Sequence, residues 1–433
     1  MKQTNLKAAL IGKDGRTSAI EECLLRSPRV TGPLLKFTEW KGESARQDIL
    51  RAAKEQQPDF VIIGPEEPLA EGIVDELQGS GIPCVGPTKS LARLEASKAF
   101  TRELLGKHGI AGNPEYRVFR DPSGMDAYLK ELGAYVIKPD GLTGGKGVKL
   151  SGAHLRSNAE ALDYCEKLFR SGHPAVIIEE QLDGEEFSLQ SFCDGSHVRD
   201  MPVVQDHKRA LEGDKGPNTG GMGSYSCEDH LLPFLLPEHV QQASAINIAV
   251  ARALWKETGQ KYKGILYGGF MVTARGIRLL EYNARFGDPE TMNVVSLLST
   301  DLLDICEGII EETLDKVPVK FQARASVCKY VVPEGYPEKP VKGARIDLSE
   351  VAKRAPTAGI YPAAIEARDG QWYMTGSRAV ALVGTGENLA EAERIAEAAA
   401  CAVKGPVFHR QDIGTAALIQ KRVEHMRRLA AGK

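Results

Sequence analysis

The segment from Lys138 to Gly147 combines glycines and two lysines directly after an apolar run, Tyr135 to Ile137. Glycine lets the backbone turn several N–H groups toward one anion, and lysine adds a compact positive charge. The segment therefore predicts a phosphate-binding loop. Its candidate contacts are Lys138, Gly144, Gly145, Lys146 and Gly147. A solvated surface turn is the alternative, because the Gly-Lys-Ser/Thr ending of a Walker loop is absent.

A second cluster, Glu281, Asn283 and Arg285, follows the turn-like pair Arg275-Gly276 in a strand-like run. Side chains two apart on a strand point to the same face, so the oxygens of Glu281 and Asn283 are expected together. Hard oxygen donors at this spacing suit Mg²⁺. Arg285, on the same face, can clamp a carboxylate or its phosphorylated form with its planar fork. Alone, the run is also typical of an exposed strand edge; beside a phosphate loop the metal site is favoured.

Two polar stretches lie between these clusters. In the first, an apolar strand-like run from Ala175 is followed by an acidic linker. The linker can bind adenine and accept hydrogen bonds from a ribose. The alternative is a buried strand followed by a charged turn. The candidate contacts of this first stretch are Glu179, Glu180, Leu182 and Glu186. The second stretch, Gln205 to Gly223, carries four late glycines and mixed charges that are costly to order unless something is bound.

The first hundred residues alternate strand-like and helix-like runs, which predicts a parallel sheet flanked by helices. The strand-like runs are Leu6 to Gly12, Phe60 to Gly64 and Pro83 to Gly86, and the helix-like runs are Ile20 to Leu25, Leu69 to Leu77 and Ser90 to Leu105. Ligands bind beyond the carboxyl ends of such strands, at Gly12 to Arg16 and Gly64 to Glu67. Near the C-terminus, a strand from Ala379 and a helix capped by Asn388 are expected.

Composition excludes several classes of protein. A chain of 433 residues suggests about three domains. A net charge of −3 makes nucleic acid or an anionic membrane an unexpected partner. Eight scattered cysteines, without a Cys-x-x-Cys pair, argue against a zinc site and fit a reduced compartment. No apolar stretch approaches ~18 residues, so a soluble cytoplasmic protein is expected.

In their order along the chain, these features resemble the ATP-grasp ligases, and most closely the phosphoribosylamine glycine ligase family. The motifs that carry the resemblance are Gly64-Pro-Glu-Glu-Pro-Leu69, Leu94-Glu-Ala-Ser-Lys98, the loop from Lys138, Gln205-Asp-His-Lys-Arg209, Gly216-Pro-Asn-Thr-Gly-Gly-Met-Gly223, Asn283-Ala-Arg-Phe-Gly-Asp-Pro-Glu290 and the tail Arg410-Gln-Asp-Ile-Gly414. The resemblance covers nearly the whole chain.

The fold implied by the resemblance is α/β, with an ATP-grasp fold at its centre. It implies an N-terminal parallel-sheet (pre-ATP-grasp) domain over residues 1–102 and an ATP-grasp catalytic domain over 103–325. A lid subdomain is expected at about 110–190. A C-terminal α+β domain is expected over 326–433, and the protein is expected to be a monomer.

The reaction implied by the resemblance joins glycine to 5-phosphoribosylamine, with ATP as phosphoryl donor, in purine biosynthesis. ATP phosphates would lie among Lys98, Lys138 and Lys146, and Mg²⁺ or Mn²⁺ on Glu281 and Asn283. Arg285 would orient the carboxylate of glycine, and Asp214 and Asn218 would hold its amino group or the intermediate. The remaining substrate contacts would be Gly15, Arg16, Pro65, Glu66 and Asp288. His207 is either a general base or an orienting residue.

One segment departs from the family pattern. Where the family has Gly-x-Gly-Gly-Arg-Glu-His-Ala, this chain has Gly12-Lys-Asp-Gly-Arg-Thr-Ser-Ala19, and Phe37 to Ser44 replaces a Pro-Gly-Asn segment. Asp14 is a poor neighbour for a phosphate unless it points away or pairs with Lys13 or Arg16. An ATP-grasp paralogue that joins an amino acid to a different amine is therefore the alternative function. A nucleotide-binding protein without catalysis is less expected, because the metal motif is retained.

Overall fold

The N-terminal part of the protein is a parallel sheet flanked by helices, as the alternating pattern predicts. A computed structural model describes residues 6–30, 32–144 and 147–432. The strands are β1 (Ala8–Ile11), β2 (Leu35–Phe37), β3 (Phe60–Ile63) and β4 (Cys84–Val85), in the order β2-β1-β3-β4 and all parallel. The helices are α1 (Gly15–Leu25), α2 (Glu43–Gln56), α3 (Glu66–Glu71), α4 (Ile73–Gly79), α5 (Lys89–Ala96) and α6 (Lys98–Lys107). Strands β1 and β3 are buried along their whole length because helices cover both faces.

Two runs that were expected to form single helices are each divided. Gly72 adopts the left-handed region (φ 99°) and separates α3 from α4. Ser97 is extended (φ −137°, ψ 108°) and its hydroxyl caps α6 by accepting from Phe100 N. The prediction of one helix from Ser90 to Leu105 is therefore wrong. The break directs Lys98, the first residue of α6, toward the loop at 138–147, where its Nζ donates to Gly141 O at 3.0 Å.

The segment expected to form the lid, called the lid below, contains a small antiparallel sheet with its own apolar core. Its elements are β5 (Tyr116–Phe119), α7 (Met125–Leu132), β6 (Tyr135–Pro139), β7 (Lys149–Leu150), α8 (Asn158–Arg170) and β8 (Val176–Glu180). The strand order is β5-β8-β6-β7. The buried core of the lid lies between this sheet and helices α7 and α8. This arrangement places the phosphate loop between β6 and β7, and it places the acidic linker directly after β8.

The platform below the lid is a second antiparallel sheet, in the order β10-β9-β15-β16. Its hairpin β15–β16 turns at Ala274-Arg275, one residue before the expected pair Arg275-Gly276. The elements of this region are β9 (Gly184–Cys193), β10 (Val198–Asp200), β11 (Gln205–Asp206), β12 (Arg209–Leu211), β13 (Lys215–Asn218), β14 (Gly223–Ser226), α9 (Pro237–Thr258), β15 (Gly264–Thr273), β16 (Gly276–Asn283), α10 (Glu290–Leu297) and α11 (Leu302–Ile310). Strands β12 and β13 form a separate hairpin.

The C-terminal part shares a sheet with the glycine-rich polar stretch. Its elements are β17 (Ala325–Pro333), β18 (Arg345–Ile346), α12 (Val351–Arg354), β19 (Gly359–Pro362), β20 (Ile365–Arg368), β21 (Gln371–Met374), β22 (Val380–Gly386), α13 (Leu389–Ala402), β23 (Val407–Phe408) and α14 (Ala416–Ala430). The strand order β11-β14-β17-β22-β19 ties residues 205–226 to this region. Asn388 caps α13 through Glu391 N, as expected. Within the described ranges, no helix is both long and apolar enough to cross a membrane.

Candidate active site

Strand β16 and the residues after it present the expected metal ligands and Arg285 on one face. Glu281, Asn283 and Arg285 are half-buried, whereas the residues between them are buried. On the opposite side, the Tyr282 hydroxyl donates to Asn247 Oδ1 in the core at 2.7 Å. The shared face expected from the spacing is therefore present.

The Glu281 carboxylate is surrounded by cations. Burial raises its pKa, but Lys208, Lys98, Lys138 and Arg285 outweigh burial, so the net pKa is below the ordinary value. Among the described residues, this carboxylate makes neither a hydrogen bond nor a salt bridge, so its oxygens are available. A free carboxylate two residues from an amide oxygen is a donor set that fits a hard divalent cation. The nearby lysines fit the phosphates that usually complete such a site.

Arg285 is held between two carboxylates. Its Nε lies 3.2 Å from Glu66 Oε2, and its Nη2 lies 3.0 Å from Glu95 Oε1. Glu95 also accepts from Ala284 N at 2.7 Å. Burial raises the pKa of Glu95 to about 7, although Arg285 opposes that rise. The Arg285 guanidinium is thus held just after the end of β16. A substrate carboxylate would compete with Glu66 and Glu95 for this guanidinium.

The N-terminal loop meets this site through Arg16. Arg16 Nη1 donates to Phe286 O at 2.8 Å, and its Nη2 lies 3.9 Å from Glu66 Oε2. Pro65 is the residue before α3, and Glu66 is its first residue. The structure therefore brings Arg16, Pro65 and Glu66 next to Arg285.

Asp14, the residue that departs from the family pattern, points into this loop and pairs with Arg16. Its Oδ2 accepts from Arg16 Nη2 at 2.5 Å, and its Oδ1 caps α1 by accepting from Thr17 N at 2.9 Å. Burial raises the pKa of Asp14, but Arg16 and these hydrogen bonds outweigh it and lower the pKa to about 2. Of the two pairings considered from the sequence, the one with Arg16 is present.

Asp288 is joined to Gly15 by a residue from the C-terminal sheet. The Tyr330 hydroxyl donates to Asp288 Oδ1 at 2.7 Å, and Arg378 Nη2 lies 3.1 Å from Asp288 Oδ2. A Cβ added to Gly15 would lie 2.3 Å from the same Tyr330 hydroxyl. Only a residue without a side chain fits at position 15, so the first helix can approach β17 closely.

The phosphate loop is described only in part, because Gly145 and Lys146 lie outside the described residues. Gly144 adopts the left-handed region (φ 55°), and a Cβ on Gly147 would lie 2.4 Å from Pro139 Cγ. Asp140 holds the loop on α6, because its Oδ1 accepts from Ala99 N at 3.1 Å. Lys138 is buried, with Nζ 2.7 Å from Glu179 Oε2.

The expected nucleoside contacts lie around the connection between lid and platform. Glu179 is buried and paired with Lys138 and with Arg102, whose Nε lies 2.6 Å from its Oε1. Glu180 pairs with Arg275 from the β15–β16 turn. Leu182 is half-buried in the linker between β8 and β9. Glu186 is exposed on β9 and lies 3.1 Å from Lys208 Nζ. Glu186 and Lys208 line a cavity together with Glu281.

Asp214 and Asn218 are on the β12–β13 hairpin, and Asp214 is paired with two arginines from the C-terminal segment. Arg410 Nη1 lies 3.0 Å from Asp214 Oδ1, and Arg422 Nη2 contacts Oδ2. Asn218 is exposed at the end of β13. The structure thus connects Asp214 to the C-terminal tail and records no contact between it and Arg285.

His207 is buried, and neither ring nitrogen has a hydrogen-bond partner among the described residues. Burial, followed by the charge of Arg410, lowers its pKa to about 3. A neutral imidazole with such a low pKa is a weak general base at neutral pH. The low pKa argues against the general-base role, and no hydrogen bond within the described residues supports the orienting role.

Four ionisable residues of the cavity beside Glu281 were not identified as site residues from the sequence. They are Lys208, Asp206, Glu290 and Tyr267. Burial and the charge of Glu290 raise the pKa of Asp206 well above its ordinary value. The Tyr267 hydroxyl donates to Glu290. Asp206, Lys208 and Glu290 lie inside the motifs given above, so their position in a motif could have identified them. No feature of the sequence singled out Tyr267.

Comparison with known protein families identifies all three parts of the chain. Models described as the N domain, the ATP-grasp (A) domain and the C domain of phosphoribosylglycinamide synthetase match residues 6–95, 96–291 and 326–416.

Full-length relatives and solved structures agree with these matches. The chain is 45% identical to a phosphoribosylamine glycine ligase of Methanocella arvoryzae, over 97% of this chain and 99% of the relative. It is also 45% identical to one of Pyrococcus furiosus, over 98% of both chains. The crystal structure of phosphoribosylamine glycine ligase from Thermotoga maritima superposes with a TM-score of 0.79 at 29% identity, over 94% of this chain and 100% of that one. A biotin carboxylase domain from Hydrogenobacter thermophilus shares the fold, with a TM-score of 0.71 at 14% identity, over 100% of this chain and 96% of that one. With its ATP-grasp fold and these matches along its length, the chain belongs to the phosphoribosylamine glycine ligase family of ATP-dependent ligases.

Proposed function

We propose that this protein joins glycine to 5-phosphoribosylamine and forms glycinamide ribonucleotide, ADP and phosphate, a step of purine biosynthesis. The observation that carries the proposal is the shared face of Glu281, Asn283 and Arg285 beside Lys98, Lys138 and Lys208. This face offers oxygen donors for a divalent cation, positive charge for phosphates and a guanidinium fork for a carboxylate, all within one cleft.

The proposed reaction has two steps. A carboxylate oxygen of glycine attacks the γ-phosphorus of ATP, and ADP leaves, so a glycyl phosphate forms. The amine nitrogen of 5-phosphoribosylamine then attacks the glycyl carbon, phosphate leaves and the nitrogen loses a proton. Arg285 orients the carboxylate and offsets its charge, while the lysines hold the phosphates in line. Gly15, Arg16, Pro65, Glu66 and Asp288 are proposed to bind the ribosyl substrate, and Asp214 and Asn218 the amino group of glycine.

We assign Glu281 and Asn283 as the ligands of Mg²⁺ or Mn²⁺. The ion would supply charge stabilisation at the phosphoryl oxygens. The available Glu281 oxygens support this assignment. ATP phosphates are assigned to Lys98, Lys138, Gly144, Gly145, Lys146 and Gly147, and the nucleoside to Glu179, Glu180, Leu182 and Glu186.

The test is an omission assay. The protein is mixed with ATP, Mg²⁺, glycine and phosphoribosylamine generated in place from ribose 5-phosphate and ammonia, and each component is omitted in turn. We expect ADP release to require every component and the product to have the mass of glycinamide ribonucleotide. Product that forms only with another amine would overturn the proposed acceptor. Replacement of Mg²⁺ by Mn²⁺ decides the metal preference.

We further propose that the protein works in the cytoplasm as a monomer. All eight cysteines are free, and seven of them are buried, which fits a reducing compartment. Light scattering of the purified protein across a range of concentrations tests the monomer, and a mass of two chains would contradict it.

A further inference from the structure

The last helix, α14, contacts the connection between lid and platform. It lies beyond the residues matched by the C-domain model, apart from Ala416. Two of its side chains, Arg422 and His425, are only 23% and 26% exposed, and both point toward carboxylates of other elements. These contacts join α14 to the segment in which the nucleoside contacts Leu182 and Glu186 are proposed.

His425 bridges the two carboxylates on either side of Gly184, where β9 begins. Its Nδ1 lies 2.7 Å from Glu185 Oε1, and its Nε2 lies 3.1 Å from Asp183 Oδ1. Glu185 is only 6% exposed. The imidazole therefore fixes the linker directly before the strand that carries Glu186.

Arg422 connects the same linker to the β12–β13 hairpin. Its Nη2 pairs with Asp214, and its Nε lies 3.3 Å from Glu185 Oε2, without the alignment of a hydrogen bond. The hairpin is held at a second point, because Gly213 N donates to Asp412 Oδ2 at 2.8 Å. The Arg422 guanidinium thus bridges the hairpin and the beginning of β9.

The linker is also held from the platform. Arg275, at the β15–β16 turn, pairs with Glu180 at the end of β8. The backbone around Leu182 is therefore fixed on both sides, by Arg275 before it and by α14 after it.

We infer that Arg422 and His425 are positioning residues for the nucleotide, an inference that rests on the proposed function. They hold residues 181–186 in the geometry in which the backbone near Leu182 and the Glu186 carboxylate meet the nucleoside. Removal of either the Arg422 guanidinium or the His425 imidazole leaves the buried Glu185 carboxylate with one partner fewer to offset its charge. The linker then moves toward solvent, and ATP must reorder it on binding.

The test compares Arg422→Ala and His425→Ala with Arg428→Ala, which removes an exposed arginine from the same helix. Calorimetry measures ADP binding in the presence of Mg²⁺, and steady-state assays measure kcat and the KM for ATP and glycine. We expect the Kd for ADP and the KM for ATP to rise about tenfold in the first two variants, because reordering consumes binding energy. The KM for glycine in His425→Ala and all values of Arg428→Ala stay near wild type, whereas Arg422→Ala also loses the contact with Asp214 and is expected to raise the KM for glycine as well. Arg422→Lys, which keeps the charge, restores part of the affinity.

Two outcomes overturn the inference. One is nucleotide binding in Arg422→Ala and His425→Ala equal to that of wild type. The other is an equal rise in the KM for ATP and for glycine in His425→Ala together with a lower Tm, because His425 contacts Asp183 and Glu185 and such a result would indicate a general structural role. If an alanine variant does not fold, His425→Gln and Arg422→Lys provide the same comparison. A wild-type protein that binds ADP and yields no glycinamide ribonucleotide would overturn the proposed reaction alone.

Discussion

Asp14 shows how a single substitution in a family motif is accommodated. Its carboxylate both caps α1 and pairs with Arg16, and Arg16 in turn contacts Phe286 O and lies near Glu66. Glu66 continues the chain of charges to Arg285. The acid is therefore part of an ion network that runs from the first helix to Arg285. The sequence alone allowed this pairing but did not select it, because side-chain direction depends on residues far along the chain.

Asp14→Asn should lower stability at neutral pH and have less effect in acid. The pKa of Asp14 is lowered to about 2, so its stabilisation is present above about pH 4 and is lost as pH falls toward 2. Because the side chain is 27% exposed, we expect a loss of about 1–2 kcal/mol at pH 7. Urea unfolding at pH 7, 4 and 2.5 measures it, with the exposed Asp48→Asn as control. A difference between variants that does not change with pH would contradict the ion pair.

Arg285→Ala should reduce turnover far more than nucleotide affinity. Its guanidinium is expected to act on the carboxylate that becomes phosphorylated, so ADP formation should fall by about 10²–10³-fold, while the Kd for ADP changes little. Single-turnover ADP formation and calorimetry measure the two effects. Arg285→Lys keeps the positive charge but lacks the planar guanidinium, so it should recover only a small part of the lost turnover. A parallel loss of ADP binding would remove Arg285 from its proposed role.

At the scale of elements, periodicity predicted the strands and the hairpin that carry the site but not the helix boundaries. The run from Ser90 to Leu105 has a helical pattern throughout, yet Ser97 breaks it, and its hydroxyl donates to Asp140 Oδ2 at 3.0 Å. That partner is 43 positions away, so no local pattern records it. Helix α2 was missed because only Ile49 and Ala53 of its residues are buried. Local sequence predicts an element when the element's own residues form the core. It fails to predict a boundary when a contact with a residue far along the chain determines that boundary.

Gly184→Ala tests the start of β9, where lid and platform meet. A Cβ at this position would lie 2.0 Å from Val272 O, so the strands must separate. We expect a loss of about 2 kcal/mol or more in unfolding free energy. Gly79→Ala is the matched control, since no atom lies within 4 Å of its added Cβ. Thermal unfolding of both variants measures the difference. Equal Tm values would mean that the β9–β15 pairing adapts freely.

At the scale of the whole molecule, the C-terminal part contacts the candidate site through Asp288. Tyr330 and Arg378 hold Asp288, and Arg378 Nη1 also donates to Gly220 O at 2.7 Å. The sequence predicted a separate C-terminal piece and gave no signal for these contacts, because each joins residues that are far apart in the chain. The motif residues themselves were recognised, but their partners outside the motifs were not.

Arg378→Ala should destabilise the whole protein. The guanidinium is 15% exposed, and its removal leaves the Asp288 carboxylate, 7% exposed, with only the Tyr330 hydroxyl. We expect a loss of about 3 kcal/mol in unfolding free energy. Arg368→Ala, at a side chain that is 60% exposed, is the control and should change stability by less than about 0.5 kcal/mol. Chemical denaturation of both variants measures these losses; similar values for the two would refute the bridging role.

The contact between α14 and the linker also has a consequence for synthesis on the ribosome. Glu185 and His425 are 240 positions apart, so the linker is translated long before its partner. Domains fold in order from the N-terminus as the chain emerges. In a nascent chain, the connection between lid and platform is therefore present before α14 can contact it. If α14 positions the nucleotide as inferred, the protein gains its full affinity for ATP only after the last helix has left the exit tunnel.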